Sequence, residues 1–254
     1  MRLDLATWPE VETYLGRSGG IIIPAGSTEQ HGPMGLIGTD AICAERVAME
    51  AAELADSMVT PTLAYTPAPF NMAFPGTISV SVELFESLVT EILDGLSGHG
   101  FARFYFVNGH GANLAPLERV AAAFRQKRGT VRIRIRSWWD FDAVNALRRK
   151  FYGDWEGMHA TPSEVAITQA TCRTVPPGDA ASPPERLPPG YVERHAGDRH
   201  GPPLEHRRQF PDGRVGSHSA LANPKHGAAL LAAAAAAVAE DYRGLTQDRG
   251  VEPA

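Results

Sequence analysis

Ile21-Ile22-Ile23-Pro24-Ala25-Gly26-Ser27-Thr28-Glu29-Gln30-His31-Gly32-Pro33-Met34-Gly35, closed by Gly38-Thr39-Asp40, decides the reading of this chain. A short apolar run that stops abruptly at glycine and polar residues reads as a buried strand ending in a loop. In α/β sheets the loops at the carboxyl ends of strands are where chemistry is placed. Glu29 and His31 can turn toward one point from an extended loop, and Asp40 can return to it from the next helix start. That outlines a metal site, although Asp40 after Thr39 also reads as a helix cap.

Working outward, short β-like runs alternate with longer helical patterns. Strands are expected at Ile21–Ala25, Met58–Ala64, Phe101–Asn108 and Val131–Trp138, and helices at Ala41–Leu54, Val82–Ser97, Leu114–Lys127 and Phe141–Phe151. Leu84, Leu88, Ile92 and Leu96 recur every four residues and form one apolar stripe of their helix. A further helix starts near Thr161-Pro162, and the last runs from about Pro224 to Tyr242. This alternation predicts an α/β fold with a mostly parallel sheet flanked by helices. Residues 175–222 break the rhythm with Pro, Gly, Arg and four histidines, His195, His200, His206 and His218, and read as a solvated or substrate-covering loop. With no repeat and no second core, residues 1–254 read as one domain, with 244–254 as a flexible tail.

Composition narrows the function classes. The 254 residues carry 43% hydrophobic and 21% charged residues, ordinary for a globular protein, and a formal net charge of -5 that gives nucleic acid or an anionic membrane nothing to grip. Cys43 and Cys172 lack metal-type spacing. Without an opening signal pattern or a membrane-length apolar stretch, the expectation is a cytoplasmic enzyme.

Two more loops compete for chemistry. Asn108-Gly109-His110-Gly111-Ala112-Asn113 follows a second apolar strand, and its glycines allow a sharp turn and a close approach. Asn113 reads as a helix cap, which leaves His110 unexplained. In Trp155-Glu156-Gly157-Met158-His159-Ala160-Thr161-Pro162-Ser163-Glu164, Thr161 and Glu164 form a capping box, yet a carboxylate in a first helical turn can also face a bound cation. His159 has no comparable structural role.

Taken in order, Glu-Gln-His-Gly-Pro with Gly-Thr-Asp, Asn-Gly-His-Gly-x-Asn and His-Ala-x-x-x-Glu resemble the creatininase (creatinine amidohydrolase) family. Phe74-Pro75-Gly76-Thr77-Ile78-Ser79, Gly213-Arg214-Val215-Gly216, Asn223-Pro224 and Gly227 support the resemblance, which spans residues 20–243. It implies a three-layer α/β/α domain, a two-metal site and amidohydrolase chemistry on C–N bonds, in a homo-oligomer, often a hexamer. By this resemblance Glu29, His31, Asp40, His110 and Glu164 are metal ligands, with Asp40 bridging two ions. His159 stands beside the metals as the catalytic acid–base group, and Glu164 joins it as catalytic.

The donor set is nitrogen and oxygen without thiolate, which suits Zn²⁺ or Mn²⁺, with Fe as a third option. Ions about 3.5–4 Å apart would activate a hydroxide and polarise a carbonyl together. Trp155, Asn71, Gly111 and Ala112 are the positions expected to face a small amide, cyclic amide or formamide substrate. The pattern also departs from its relatives. Ala112 stands where true creatinine hydrolases carry an acidic residue that helps hold a metal. Met34 replaces a histidine, Asn71-Met72-Ala73 replaces His-Met-Gly, Thr161-Pro162 occupies a glycine region and Val165-Ala166 replaces Thr-Ser. Ala112 therefore points away from creatinine, toward a formamide or a modified peptide. The alternatives are a peptidase trimming such a peptide, a sugar-ring or ketone hydrolase or lyase, and a non-catalytic metal-binding homologue.

Overall fold

A computed structural model describes residues 1–247. Its centre is a parallel sheet of β1 (Gly20–Ala25), β2 (Met58–Val59), β3 (Arg103–Asn108) and β4 (Arg132–Ser137), in the order β2-β1-β3-β4. Around it lie α1 (Trp8–Leu15), α2 (Thr39–Leu54), α3 (Val82–Gly98), α4 (Leu114–Lys127), α5 (Asp142–Tyr152) and α6 (Pro162–Thr171). Two short helices, α7 (Tyr191–Arg194) and α8 (Pro203–Gln209), precede the long α9 (Pro224–Gln247).

Strand alternation sorts the core into two layers. Ile21, Ile23, Phe104, Phe106 and Ile133 point to one face and pack against Tyr14 of α1, Phe85, Val89 and Leu93 of α3, and Leu117, Val120 and Phe124 of α4. Ile22, Tyr105 and Val107 point to the other, against Cys43 and Val47 of α2, Ile167 of α6, and Leu230, Ala234 and Val238 of α9. The near-continuous apolar runs of β1 and β3 follow from this burial on both faces. The expected three-layer α/β/α architecture is what the chain forms.

Several expectations are corrected. In α3 the stripe turned to the core is Phe85-Val89-Leu93, while Leu84 and Leu88 are 57% and 43% exposed. The two stripes lie one residue apart on a helix apolar over a wide arc, and the sheet takes the face bearing the large Phe85 ring. The strand expected over Met58–Ala64 pairs only at Met58–Val59, followed by a single bridge from Ala25 to Leu63. Pro61 brings no N–H to a ladder and ends it. Helix α1 was legible in Thr7-x-x-Glu10, whose reciprocal capping box is formed, but was not foreseen. Residues 244–247 continue α9 where a tail was expected, and 248–254 lie outside the described residues. Among the described residues no helix is long and apolar enough to cross a membrane.

Candidate metal centre

The carboxyl ends of β1 and β3 deliver the first two loops to the same edge of the sheet, against the first turn of α2. Contact is close because each strand is followed by a glycine: a Cβ on Gly26 would run into the Asp40–Ala41 peptide, and one on Gly109 into the Asp40 carbonyl. Asp40 does not cap α2. The N-cap is Gly38, and Asp40 sits in the first turn, 3% exposed, with its carboxylate turned into the sheet edge.

That carboxylate is shared. Its Oδ1 lies 2.9 Å from His31 Nε2 and its Oδ2 3.0 Å from His110 Nδ1, while Ser27 Oγ donates to Oδ2 at 2.8 Å. Glu29 Oε1 stands 3.1 Å from His110 Nδ1, and Glu164 Oε1 3.8 Å from His31 Nε2. Among the described residues two ligand-like groups share Asp40, Glu29/Asp40/His110 and His31/Asp40/Glu164, and a third joins Glu29, His31 and His159, with donor atoms in each within 4.8 Å of one another. The five side chains expected as ligands are thus brought together, and Asp40 belongs to the first two groups.

Hydrogen bonds settle which imidazole nitrogen faces inward. His31 Nδ1 donates to the Glu29 carbonyl at 3.1 Å, so Nε2 is the nitrogen turned toward Asp40 and Glu164. His110 Nε2 donates to the Pro67 carbonyl at 2.9 Å, leaving Nδ1 for Asp40 and Glu29. Fixing the tautomer through the outer nitrogen is how metal-binding histidines are oriented.

His159, in the loop before α6, lies against both. Both amide hydrogens of Gln30 are taken, by Asn71 Oδ1 at 2.9 Å and the Gly213 carbonyl at 3.0 Å. The Asn71 amide donates to Glu29 Oε2 at 2.8 Å. His159 Nε2 therefore donates to the Gln30 carbonyl at 2.8 Å, and its free Nδ1 faces Glu29 Oε1 at 3.7 Å. The late Gly213–Gly216 motif is explained by the same network, since Val215 pairs with His159 as an antiparallel bridge. Glu164 does both things its position allowed. It completes the capping box with Thr161, and the same Oε1 looks at His31.

Electrostatics reflect the crowding. Burial works against charge on His31, but Asp40, Glu164 and Glu29 prevail and push its pKa up to about 10. His110 likewise rises well above the usual imidazole value against its burial, driven by Glu29 and Asp40. Asp40 is held well below the carboxylate range despite its burial, by His31 and His110. Burial pushes Glu164 up to about 7, opposed by His31. Burial and the neighbouring His31 hold His159 well below its usual value, so that ring is neutral.

The residues fit a pair of divalent cations. Glu29 Oε1 is completely buried yet makes no hydrogen bond, a vacancy in its bonding that a cation would fill. Ligands at about 2.0–2.2 Å from a tetrahedral ion lie about 3.3–3.6 Å apart. The contacts of 2.9, 3.0, 3.1 and 3.8 Å around Asp40, Glu29 and Glu164 bracket that spacing.

The expected substrate-facing residues fare less evenly. A cleft of about 320 Å³ opens over the centre, floored by Glu29, Asp40, His110, His159 and Glu164. Gly111 lines it, but the aromatic walls are Trp138 and Trp139. Trp155 instead lies beneath the Arg186 guanidinium, 4.1 Å from its ring centre, and edge-on to His218. It precedes the Gly157 turn and is carried away from the cleft. Asn71 is fully buried, its amide committed to Glu29 and Gln30, so it positions a ligand. Ala112 faces a neighbouring hollow. Asn113 caps nothing; its amide ties Gly26 to Asn108.

The histidines of 175–222 do not line the cleft and are in part buried. His200 and His206 pack against Phe70, with ring centres 4.7 and 5.3 Å away, and His195 stacks on Tyr191 at 3.8 Å. Burial lowers His200 to about 3 and His206 to about 4, which leaves both neutral. The same segment brings in a residue that sequence reasoning missed. Asp198 reaches the cleft with its side chain 10% exposed, and burial pushes it up to about 6 against the pull of His110. Only its neighbourhood of histidines and glycines hinted at it.

The chain is similar to known proteins over most of its length. The family model "Creatininase: Creatinine amidohydrolase" matches residues 4–242. The "Mycofactocin precursor peptide peptidase" of Mycolicibacterium smegmatis is 30% identical over 165 residues, covering 62% of this chain and 64% of that protein. The "3-dehydro-scyllo-inosose hydrolase" of Thermotoga maritima is 32% identical over 106 residues, 41% of this chain and 34% of that protein. These matches thus span less than two thirds of either relative. A solved structure named "Creatininase Mn" superposes with a TM-score of 0.78 at 22% identity, covering 97% of this chain and 98% of that one. The chain belongs to the creatininase family.

Proposed function

We propose that this chain is a two-metal hydrolase that cleaves a C–N bond of a small amide or of the end of a short peptide. The observation that carries this reading is the sharing of Asp40 between two complete donor sets, each with its own histidine in a fixed tautomer. Glu29, Asp40 and His110 would hold one ion and His31, Asp40 and Glu164 the other, with Zn²⁺ or Mn²⁺ matching the nitrogen and oxygen donors. When bound, such a pair supplies an activated water and polarises the scissile carbonyl.

The protein's own groups do the rest. His159 Nδ1 carries a lone pair at the edge of the centre, anchored through Nε2 to the Gln30 carbonyl. It is the atom at which a proton is taken up and then handed to the leaving nitrogen. Trp138 and Trp139 wall the cleft for a flat or chain-like group, and the Arg148 guanidinium that also lines it is held by Glu156 and Asn145. A cleft of about 320 Å³ admits a small molecule or a terminal peptide residue. The mycofactocin peptide peptidase among the relatives, together with Ala112, favours the peptide-like end of this range.

The test is a panel of lactams, formamides, short peptides and cyclic ketones offered to the purified protein with Mn²⁺ or Zn²⁺. Hydrolysis of an amide, abolished by chelation and restored by metal, is expected. Turnover of the ketones alone would replace this reading with the sugar-ring hydrolase one, which the inosose hydrolase among the relatives favours.

A further inference from the structure

Asp198 comes from the segment that roofs the cleft, outside every motif that marks the centre. Its Oδ2 lies 3.6 Å from His110 Nδ1, and Oδ1 lies 3.9 Å from His200 Nε2. Among the described residues the carboxylate receives one hydrogen bond, from the Ala112 amide at 3.1 Å. His200 makes no hydrogen bond through either ring nitrogen. A buried carboxylate with so little compensation needs a cation nearby.

The surroundings of His110 show where. Its Nε2 is bound to the Pro67 carbonyl, and around Nδ1 stand Asp40 at 3.0 Å, Glu29 at 3.1 Å and Asp198 at 3.6 Å. A proton on Nδ1 can point at one of these oxygens, whereas a divalent ion serves all three carboxylates and the nitrogen lone pair together. Room for Asp198 is made by Gly111, where a Cβ would overlap the carboxylate. The turn that aims it uses two successive left-handed residues, Gly197 at φ +76° and Asp198 at φ +54°.

We propose that Asp198 is a further ligand of the Glu29/Asp40/His110 metal position. The segment from Tyr191 to His200 is then latched over the cleft by the metal itself. Val192, Ala196 and Gly197 of this segment line the cleft, so the latch sets the shape of the substrate's roof. The assignment rests on the two-metal reading above and adds to it a ligand from the covering segment.

The experiment strips the full-length protein with a chelator and titrates Mn²⁺ or Zn²⁺ calorimetrically, with metal content counted after desalting. Amide hydrogen exchange of residues 191–200 is followed with and without metal. D198N keeps the acceptor for the Ala112 amide and loses the charge; D198A loses both. The wild type should take up two ions per chain, and metal should slow exchange in the roof. Both variants should keep one ion and bind the other at least about tenfold more weakly, with no metal-dependent slowing of the roof. Wild-type affinities and wild-type roof protection in D198N would overturn the assignment, even if D198A fails to fold. A wild-type protein that takes up no ion would overturn the two-metal reading itself.

Discussion

Asp40 Oδ2 stands 3.0 Å from His110 Nδ1, and the oxygen that His110 does not face stands 2.9 Å from His31 Nε2. One carboxylate thus joins two loops that leave different strands, at a point set by the contact of Gly26 and Gly109 with the first turn of α2. Asp40→Ala should lose both ions, because it removes a donor from each group. Metal content after desalting should fall toward zero with secondary structure retained by circular dichroism. A variant that keeps two ions would make Asp40 a helix residue and no more.

His159→Ala separates proton transfer from metal binding. With the ring gone, the donor groups around Asp40 keep all their members, so metal content should stay near wild type. Turnover should fall by about 10²–10⁴-fold. Loss of an ion in this variant would make His159 a ligand, a role its 3.7 Å approach to Glu29 also allows.

Gly26→Ala tests the contact that positions the centre. The added methyl meets the Asp40–Ala41 peptide, a backbone obstacle that cannot rotate aside. Such overpacking costs about 1–3 kcal/mol, so urea unfolding of the metal-free protein should shift to lower concentration. Metal affinity should fall with it, since Asp40 is pushed off its place. Unchanged stability and affinity would show that α2 can yield.

The metal-free protein should lose stability as pH rises. His31 has a folded pKa raised to about 10, so its contribution is complete below its ordinary value near 6.5 and is lost on the way up to about 10. Glu164, raised from 4.5 to about 7, acts in the same direction over its own interval, because the unfolded carboxyl gives up its proton first. Thermal unfolding in chelator should therefore move to lower temperature from about pH 7.5 to pH 10, above the range in which the buried neutral His159, His200 and His206 act the other way. Metal-loaded protein should show a weaker slope, the ions having replaced the protons. A metal-free midpoint that climbs over this range would contradict the charge arrangement.

Much of this was legible in the chain because it is local. The runs Ile21–Ala25 and Phe101–Asn108 predict parallel strands, and the motifs after them hold the candidate ligands, since strand ends and glycine turns are written in adjacent residues. Thr161-x-x-Glu164 forms its capping box and still presents Glu164 to His31, so two readings of one residue held together. Asn71 and Trp155 were misplaced because direction is not local. Whether a side chain faces a cleft or a neighbour depends on where the Gly157 turn and the Phe70 loop are pressed.

The sequence by itself determined the α/β layering, the family and which five polar side chains meet at the sheet edge. Those follow from hydrophobic period and from motifs whose chemistry is intrinsic to their side chains. Only the tertiary structure decided that Phe85, Val89 and Leu93 form the buried stripe of α3, that each inward histidine nitrogen is selected by a carbonyl, and that Asp198 comes to lie beside His110. Asp198 lies 88 positions beyond His110 in the chain, and no local pattern can encode a meeting over that distance. It comes about because α7 and its following turn are packed over a sheet edge assembled from other segments.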